Sequence, residues 1–83
     1  MPDYLYCLKY TLGDEEVVRC ECMTHDVKLV NQIYGEFMRD FGWSGSEWIG
    51  EVFMETWKLE DNPDLRLFGL YKLESTLQFY KHE

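Results

Sequence analysis

One stretch of the chain, residues 26–59, constrains the fold more than any other. Its first part predicts an amphipathic helix, because apolar residues recur at three- and four-residue intervals and so share one side of a 3.6-residue helix. Thr24 or Asp26 can cap the start of this helix, and Gly42 follows its end, where a residue without a Cβ is favoured. The apolar positions are Val27, Val30, Ile33, Tyr34, Phe37, Met38 and Phe41.

The second part of the stretch predicts another helix. Ser44 suits an N-cap, and Glu47 lies three residues on, as in a capping box. Trp43 and Trp48 occupy the two positions of a hydrophobic staple. Because only Gly42 and Trp43 separate the helices, we expect them to turn sharply onto a shared core that includes Trp48. The apolar arc of this second helix consists of Trp48, Ile49, Val52, Phe53, Trp57 and Leu59.

Two segments before the helices predict a β-hairpin, since both are rich in strand formers. A two-residue turn that begins with positive φ at Gly13 sets Cys7 opposite Cys20 and is one possible connection. A longer loop sets Cys7 opposite Cys22 instead. The two segments are residues 4–11 and 16–23.

The two faces of this hairpin differ in what they can bury. The face with the tyrosines also carries the mid-strand charges Arg19 and Glu21, which are costly to bury unpaired. We therefore expect the cysteine face to pack against the helices and the tyrosine face to form an exposed patch for a partner protein or a second copy. The opposite packing, with the tyrosines inside, is the alternative. The tyrosines are Tyr4, Tyr6 and Tyr10, and the cysteines are Cys7, Cys20 and Cys22.

The last third of the chain predicts two further strands after a turn at residues 60–64. Apolar residues alternate from Leu65 to Leu73, and a second strand is expected from Thr76 to Lys81, with Glu74 at the turn between them. The alternative for this region is a helix that begins near residue 62, where proline could occupy the first turn.

Together these elements predict a single small α+β domain over residues 1–83. We expect an antiparallel sheet, made of the N-terminal hairpin and the C-terminal strands, to pack against the two-helix unit in the order ββααββ. A chain of 83 residues with 46% apolar content is long enough for one core and too short for two.

The net charge of the chain limits the kinds of partner that it can bind. Sixteen acids and eight bases give a net charge of −8, which repels nucleic acid and anionic membranes. No segment approaches the length of a membrane span, and the first residues do not form a secretory signal. Three cysteines cannot complete a disulfide framework, which fits a reducing compartment. We therefore expect a cytoplasmic protein.

Four residues could form a metal site: Cys7, Cys20, Cys22 and His25 offer the number of ligands that structural zinc needs. The spacing is a weak signal, because a Cys-x-Cys step on a strand lacks the turn that zinc modules wrap around the metal. A small metal-binding module is accordingly the alternative function. No motif for a catalytic site or a cofactor occurs, so we expect a non-enzymatic protein without a cofactor.

Residues 47–64 form the most charged part of the chain, with six acids and one base. On a helix, glutamates four residues apart share one face and could receive a basic partner protein; the plain alternative is a solvated face. We expect a regulator or inhibitor of a nucleic-acid-binding machine, by analogy with small phage-encoded proteins that disarm host factors. The candidate partner-binding residues are Glu47, Glu51, Glu55, Glu60, Asp61 and Asp64, together with Tyr4, Tyr6 and Tyr10.

Overall fold

A computed structural model describes residues 4–13, 17–41, 48–59 and 71–82. Within them the chain forms one helix and a four-stranded antiparallel sheet with strand order β2-β1-β3-β4. The central strands are therefore β1 and β3, and the edges are β2 and β4. In chain order the elements are β1 (Tyr4–Leu12), β2 (Arg19–Thr24), α1 (Val27–Phe41), β3 (Ile49–Leu59) and β4 (Tyr71–Lys81).

Helix α1 lies where the apolar periodicity predicts it. The Asp26 carboxylate accepts a hydrogen bond from the backbone N–H of Lys28 at 3.0 Å, which makes Asp26 the cap. The Thr24 hydroxyl accepts a hydrogen bond from the N–H of Asp26 at 3.1 Å and so closes the turn just before the helix. The negative charge of Asp26 also lies at the positive end of the helix dipole. Both residues named as possible caps therefore take part in the helix entry.

The hydrophobic core lies between α1 and one face of the sheet, which we call the helix face. Leu8, Val30 and Val52 are fully buried there, one each from β1, α1 and β3. Burying side chains of this size contributes roughly 1.5 to 3 kcal/mol each. On β1 and β3 the helix face consists of Tyr4, Tyr6, Leu8, Tyr10, Val52, Met54, Thr56 and Lys58, and the opposite face, the outer face, includes Leu5, Cys7, Lys9, Glu51, Phe53, Glu55 and Trp57.

The predicted second helix and the order ββααββ are wrong, because Ile49–Leu59 is the central strand β3. Its apolar residues serve both faces of the sheet: Val52 points to the helix face, while Phe53 and Trp57 point to the outer face. When both faces of a strand are partly buried, apolar residues occur at adjacent positions. On a helical wheel such residues can fall on one side, so the strand resembles an amphipathic helix. Trp48, expected in the shared core, is 42% exposed. The proposed cap, staple and corner residues Gly42, Trp43, Ser44 and Glu47 lie outside the described residues.

Gly50 explains why β3 can pair closely with the end of β1. A Cβ at Gly50 would lie 2.7 Å from the carbonyl oxygen of Gly13 and 2.8 Å from the Thr11 hydroxyl. The register of β1 and β3 shifts at this point, between Thr11 and Leu12. Gly13 has the predicted positive φ, 54°. The two strands therefore approach each other here at a distance that only glycine permits.

The hairpin of β1 and β2 has neither of the predicted cysteine pairings. Lys9 lies opposite Cys20, as the longer loop requires, but a register shift after Leu8 then places Cys7 opposite Met23. Because of this bulge, Cys20 belongs to the outer face, whereas Cys22 lies opposite Leu8 on the helix face.

The expected orientation of the hairpin is also wrong, because its tyrosine face packs against the helix. The charged residues Arg19 and Glu21 do not prevent this packing. They lie on the edge strand β2 and are exposed, so the cost of burying a charge does not arise. Tyr10 packs on Phe37 of α1 and Tyr6 packs against the same core, so the alternative arrangement is the one that forms.

The C-terminal region described by the structure is one strand, not two. The predicted turn at Glu74 and Ser75 is a register shift, since Trp57 pairs with Leu73 and Thr56 pairs with Ser75. Glu74 is the extra residue of this bulge, and β4 continues on both sides of it. The predicted turn at residues 60–64 and the first part of the predicted strand, residues 65–70, lie outside the described residues.

Candidate functional site

The structure divides the six acids predicted to form one surface, Glu47, Glu51, Glu55, Glu60, Asp61 and Asp64, which we call the acid line. Glu51 and Glu55 share the outer face of β3, with Phe53 between them and Trp57 beyond. Four residues of a strand span about 13 Å, roughly twice the distance over four residues of a helix. These two carboxylates therefore do not form a dense acidic row. The other predicted members, Glu47, Glu60, Asp61 and Asp64, lie outside the described residues.

Glu55 is engaged within the outer face. One of its carboxylate oxygens lies 2.5 Å from the Lys9 ammonium and accepts a hydrogen bond from the Trp57 indole N–H at 3.3 Å. The Glu55 side chain is only 15% exposed. The hydrogen bond to Glu55 raises the pKa of Lys9 above its ordinary value, so Lys9 remains charged at neutral pH. This carboxylate is part of the sheet rather than a free contact point for a partner.

Glu51 is less enclosed than Glu55 but also has a partner. Its carboxylate accepts a hydrogen bond from the Gln78 side chain at 2.6 Å, and its strand position is opposite Lys81. Of the two described members of the acid line, neither presents an unpartnered carboxylate.

The three candidate tyrosines lie on the helix face. The Tyr10 ring packs against Phe37 with 4.7 Å between centroids, and Tyr6 packs against the core. Tyr4, at the start of β1, stacks on Tyr6 with 6.3 Å between centroids and 24° between planes. Two of the three tyrosines are thus used in packing. The exposed tyrosine patch expected for a partner or a second copy does not form.

The four candidate metal ligands do not converge. Cys7 is 2% exposed and lies on the outer face, Cys22 lies on the helix face, and Cys20 is exposed. The His25 Nδ1–H donates a hydrogen bond to the Tyr4 carbonyl at 2.7 Å. In the described ranges, no group of three or more histidine, cysteine or acidic side chains is arranged to hold a metal ion. The positions of these four residues therefore do not support a metal-binding module.

The thiols of Cys7, which is buried, and Cys22, which is half-buried, are also poorly suited to nucleophilic chemistry. Burial raises the pKa of both Cys7 and Cys22 above the ordinary value of 9.0. At neutral pH these groups are therefore neutral thiols, whereas nucleophilic attack needs the thiolate. Their role in the described part of the chain is to pack the two faces of the sheet.

The charge is unevenly distributed along the sequence. The described residues carry seven acids and seven bases, while the whole chain carries sixteen acids and eight bases. The remaining segments therefore hold nine acids and one base, which accounts for the full net charge of −8. These segments are residues 1–3, 14–16, 42–47, 60–70 and 83.

The described residues next to several of these acidic segments meet at one end of the sheet. The backbone N–H of Gly13 donates a hydrogen bond to the carbonyl of Trp48 at 2.6 Å. The backbone N–H of His82 donates to the carbonyl of Gly50 at 2.8 Å, and its ring packs on Trp48 with 4.3 Å between centroids. Sequence reasoning grouped the acids along residues 47–64 and did not predict that Gly13, Trp48 and His82 lie together. Their proximity follows from the pairing of β1 with β3, which the sequence pattern did not show.

No helix in the described ranges has the length and apolar character needed to cross a bilayer. Comparisons of the chain with protein-family models, with curated proteins and with solved structures found no match.

Proposed function

We propose that this chain is a non-enzymatic cytoplasmic protein that binds a partner protein with a basic surface. The observation that carries the proposal is the charge of the sequence: the net charge is −8, and residues 47–64 hold six acids and one base.

The density of acids in residues 47–64 supports a role in binding. A surface of one charge sign attracts an oppositely charged partner before contact, and it acts mainly on the association rate. The acids proposed to attract the partner are Glu47, Glu60, Asp61 and Asp64.

The basic partner we favour is a nucleic-acid-binding protein. Such proteins carry clustered lysine and arginine for phosphate contacts, and a net charge of −8 is complementary to that surface. Occupying the phosphate-binding surface would exclude the nucleic acid, so the chain would act as a regulator or inhibitor of that protein.

The test compares two variants with the same change in net charge. The first replaces Glu60, Asp61 and Asp64 by Gln, Asn and Asn. The second, the matched control, replaces three exposed acids of the described scaffold, Glu21→Gln, Glu36→Gln and Asp40→Asn. Wild type and both variants are immobilised and used to capture partners from a lysate of the source organism at low and high salt, and association rates are then measured with the recovered protein.

We expect the wild type and the control to capture the same basic protein at low salt and to release it as salt rises. The first variant should bind that protein more slowly, with a nearly unchanged dissociation rate. Equal weakening by both variants would assign the effect to net charge alone and would overturn the proposal. Binding that resists high salt and ignores both sets of substitutions would also overturn it.

A further inference from the structure

Two lysines lie directly opposite each other on neighbouring strands, Lys58 on β3 and Lys72 on β4. Like charges in this position destabilise a sheet, because directly opposite residues have Cβ atoms only about 5 Å apart. Among the described strand pairs, the other pair of opposed charges, Glu51 and Lys81, has opposite signs. Both Lys58 and Lys72 are exposed, and neither forms an ion pair with a described residue.

The surroundings of this lysine pair suit an anion. Lys58 lies on the helix face and has Tyr4 opposite it on β1. Thr56 and Ser75 form the next pair along the same face. In the described part of the chain, a depression of about 330 Å³ is lined by Lys58, Lys72, Leu73 and Glu74.

We propose that Lys58 and Lys72 bind a phosphate group, either free or on a small molecule. Two flexible ammonium groups whose Cβ atoms are about 5 Å apart can both reach the oxygens of one phosphate. Such hydrogen bonds between charged groups are stronger than neutral ones, and the dianion relieves the repulsion between the lysines. The hydroxyls of Thr56 and Ser75 are additional donors on the same face.

A small phosphorylated ligand fits the chain better than a nucleic-acid strand does. A net charge of −8 repels a continuous row of phosphates, whereas charges more than about 8 Å from a small ligand are largely screened at physiological salt. The lysine pair borders the acidic segment 60–70, since Lys58 is two residues from Glu60 and Lys72 is two residues from Leu70. The two proposals remain distinguishable, because the lysine variants test phosphate binding and the acid variants test capture of the protein partner.

Glu74 provides an internal check on this site. It is the extra residue of the β4 bulge and lines the same depression, so its carboxylate opposes an incoming phosphate. If the site binds phosphate, Glu74→Gln should tighten binding. If Glu74 merely neutralises the lysines, the same substitution should destabilise the protein and leave phosphate binding absent.

The experiment is a titration of the isotope-labelled protein with inorganic phosphate and, separately, with phenyl phosphate, followed by backbone amide shifts at constant ionic strength. We expect saturable shifts at Thr56, Lys58, Lys72 and Ser75 with both ligands. Lys72→Gln should weaken binding by roughly tenfold, because one charge-assisted interaction is lost. The control, Lys28→Gln, removes an exposed helix lysine and should change binding less than twofold, which is about the precision of the titration.

A thermal melt of each variant verifies that the fold survives, as expected for exposed positions. Absence of saturable shifts in the wild type would overturn the proposal. So would equal weakening by Lys72→Gln and Lys28→Gln, or binding of phenyl phosphate alone that Lys72→Gln does not affect.

Discussion

The ammonium of Lys9 and the carboxylate of Glu55, 2.5 Å apart, join the two central strands diagonally across the outer face. The pair is mostly shielded, with 26% of the Lys9 side chain and 15% of the Glu55 side chain exposed. Removing one partner of such a pair leaves the other charge in a poorly hydrated position.

Glu55→Gln should therefore lower the free energy of unfolding by about 1 to 2 kcal/mol, between the values typical of exposed and buried pairs. Urea denaturation at neutral pH measures this change. Glu51→Gln is the matched control on the same face of β3, and it should cost less than about 0.5 kcal/mol because its partner is a neutral amide. Equal effects of the two substitutions would contradict the structural role assigned to Glu55.

Stability should fall in alkaline solution, and the buried thiols should contribute to the fall. Burial raises the pKa of Cys7 and Cys22 above 9.0, so their contribution is fully present below pH 9.0 and is lost as the pH rises through the folded-state pKa. Lys9, whose pKa is raised above 10.5 by the bond to Glu55, adds a loss at higher pH.

The measurement is the free energy of unfolding at a series of pH values from neutral to strongly alkaline. In Cys7→Ala the decline that begins near pH 9.0 should be shallower than in the wild type, even though the variant is less stable at neutral pH. Leu77→Ala, which removes an exposed side chain without a titratable group, is the control and should leave the slope unchanged. If the free energy of unfolding of Cys7→Ala fell with pH as steeply as that of the wild type, the Cys7 thiol would not be shielded as described.

Two glycines should respond in opposite directions to substitution by alanine. Gly50→Ala should destabilise the protein by roughly 1 to 3 kcal/mol, since the new Cβ would lie 2.7 Å from the backbone oxygen of Gly13. Gly35→Ala, in the exposed middle of α1, meets nothing within 4 Å and should stabilise the protein by roughly 0.5 to 1 kcal/mol. Thermal melts of the two variants give the comparison. A gain at Gly50 would mean that β1 and β3 are not paired here as described.

One core leucine and one edge-strand leucine provide a test of how α1 packs on the sheet. Leu8 is fully buried between the sheet and α1, whereas Leu77 on β4 is 55% exposed. Leu8→Ala should cost roughly 2 to 5 kcal/mol and Leu77→Ala less than about 1 kcal/mol. Similar midpoints for the two variants in urea would contradict the packing of α1 on β1.

The sequence predicts the parts of this fold that depend on local signals. Helix α1 is apolar on one side and has a strong cap at Asp26, and the left-handed turn at Gly13 follows from the lack of a Cβ there. These features need no knowledge of distant residues, because each is decided within a few positions of the chain.

The predictions that were wrong concern features that depend on contacts between distant segments. Ile49–Leu59 reads as a helix in isolation and becomes a strand because β1 and β4 hydrogen-bond to its two edges. The choice of buried hairpin face likewise depended on β2 being an edge strand that leaves Arg19 exposed. The candidate site changed with the strand assignment, since Glu55 became a partner of Lys9.

The position of β1 between β2 and β3 has a consequence for synthesis of the chain on the ribosome. When α1 has emerged, β1 has its hairpin partner, but its other edge is unpaired, and Leu8 and Val30 still lack Val52. The core can close only after β3 has left the exit tunnel, because long-range strand pairing must wait for both strands. Until then the nascent chain exposes an open strand edge and half of a core, which are the features that chaperones recognise and that promote aggregation.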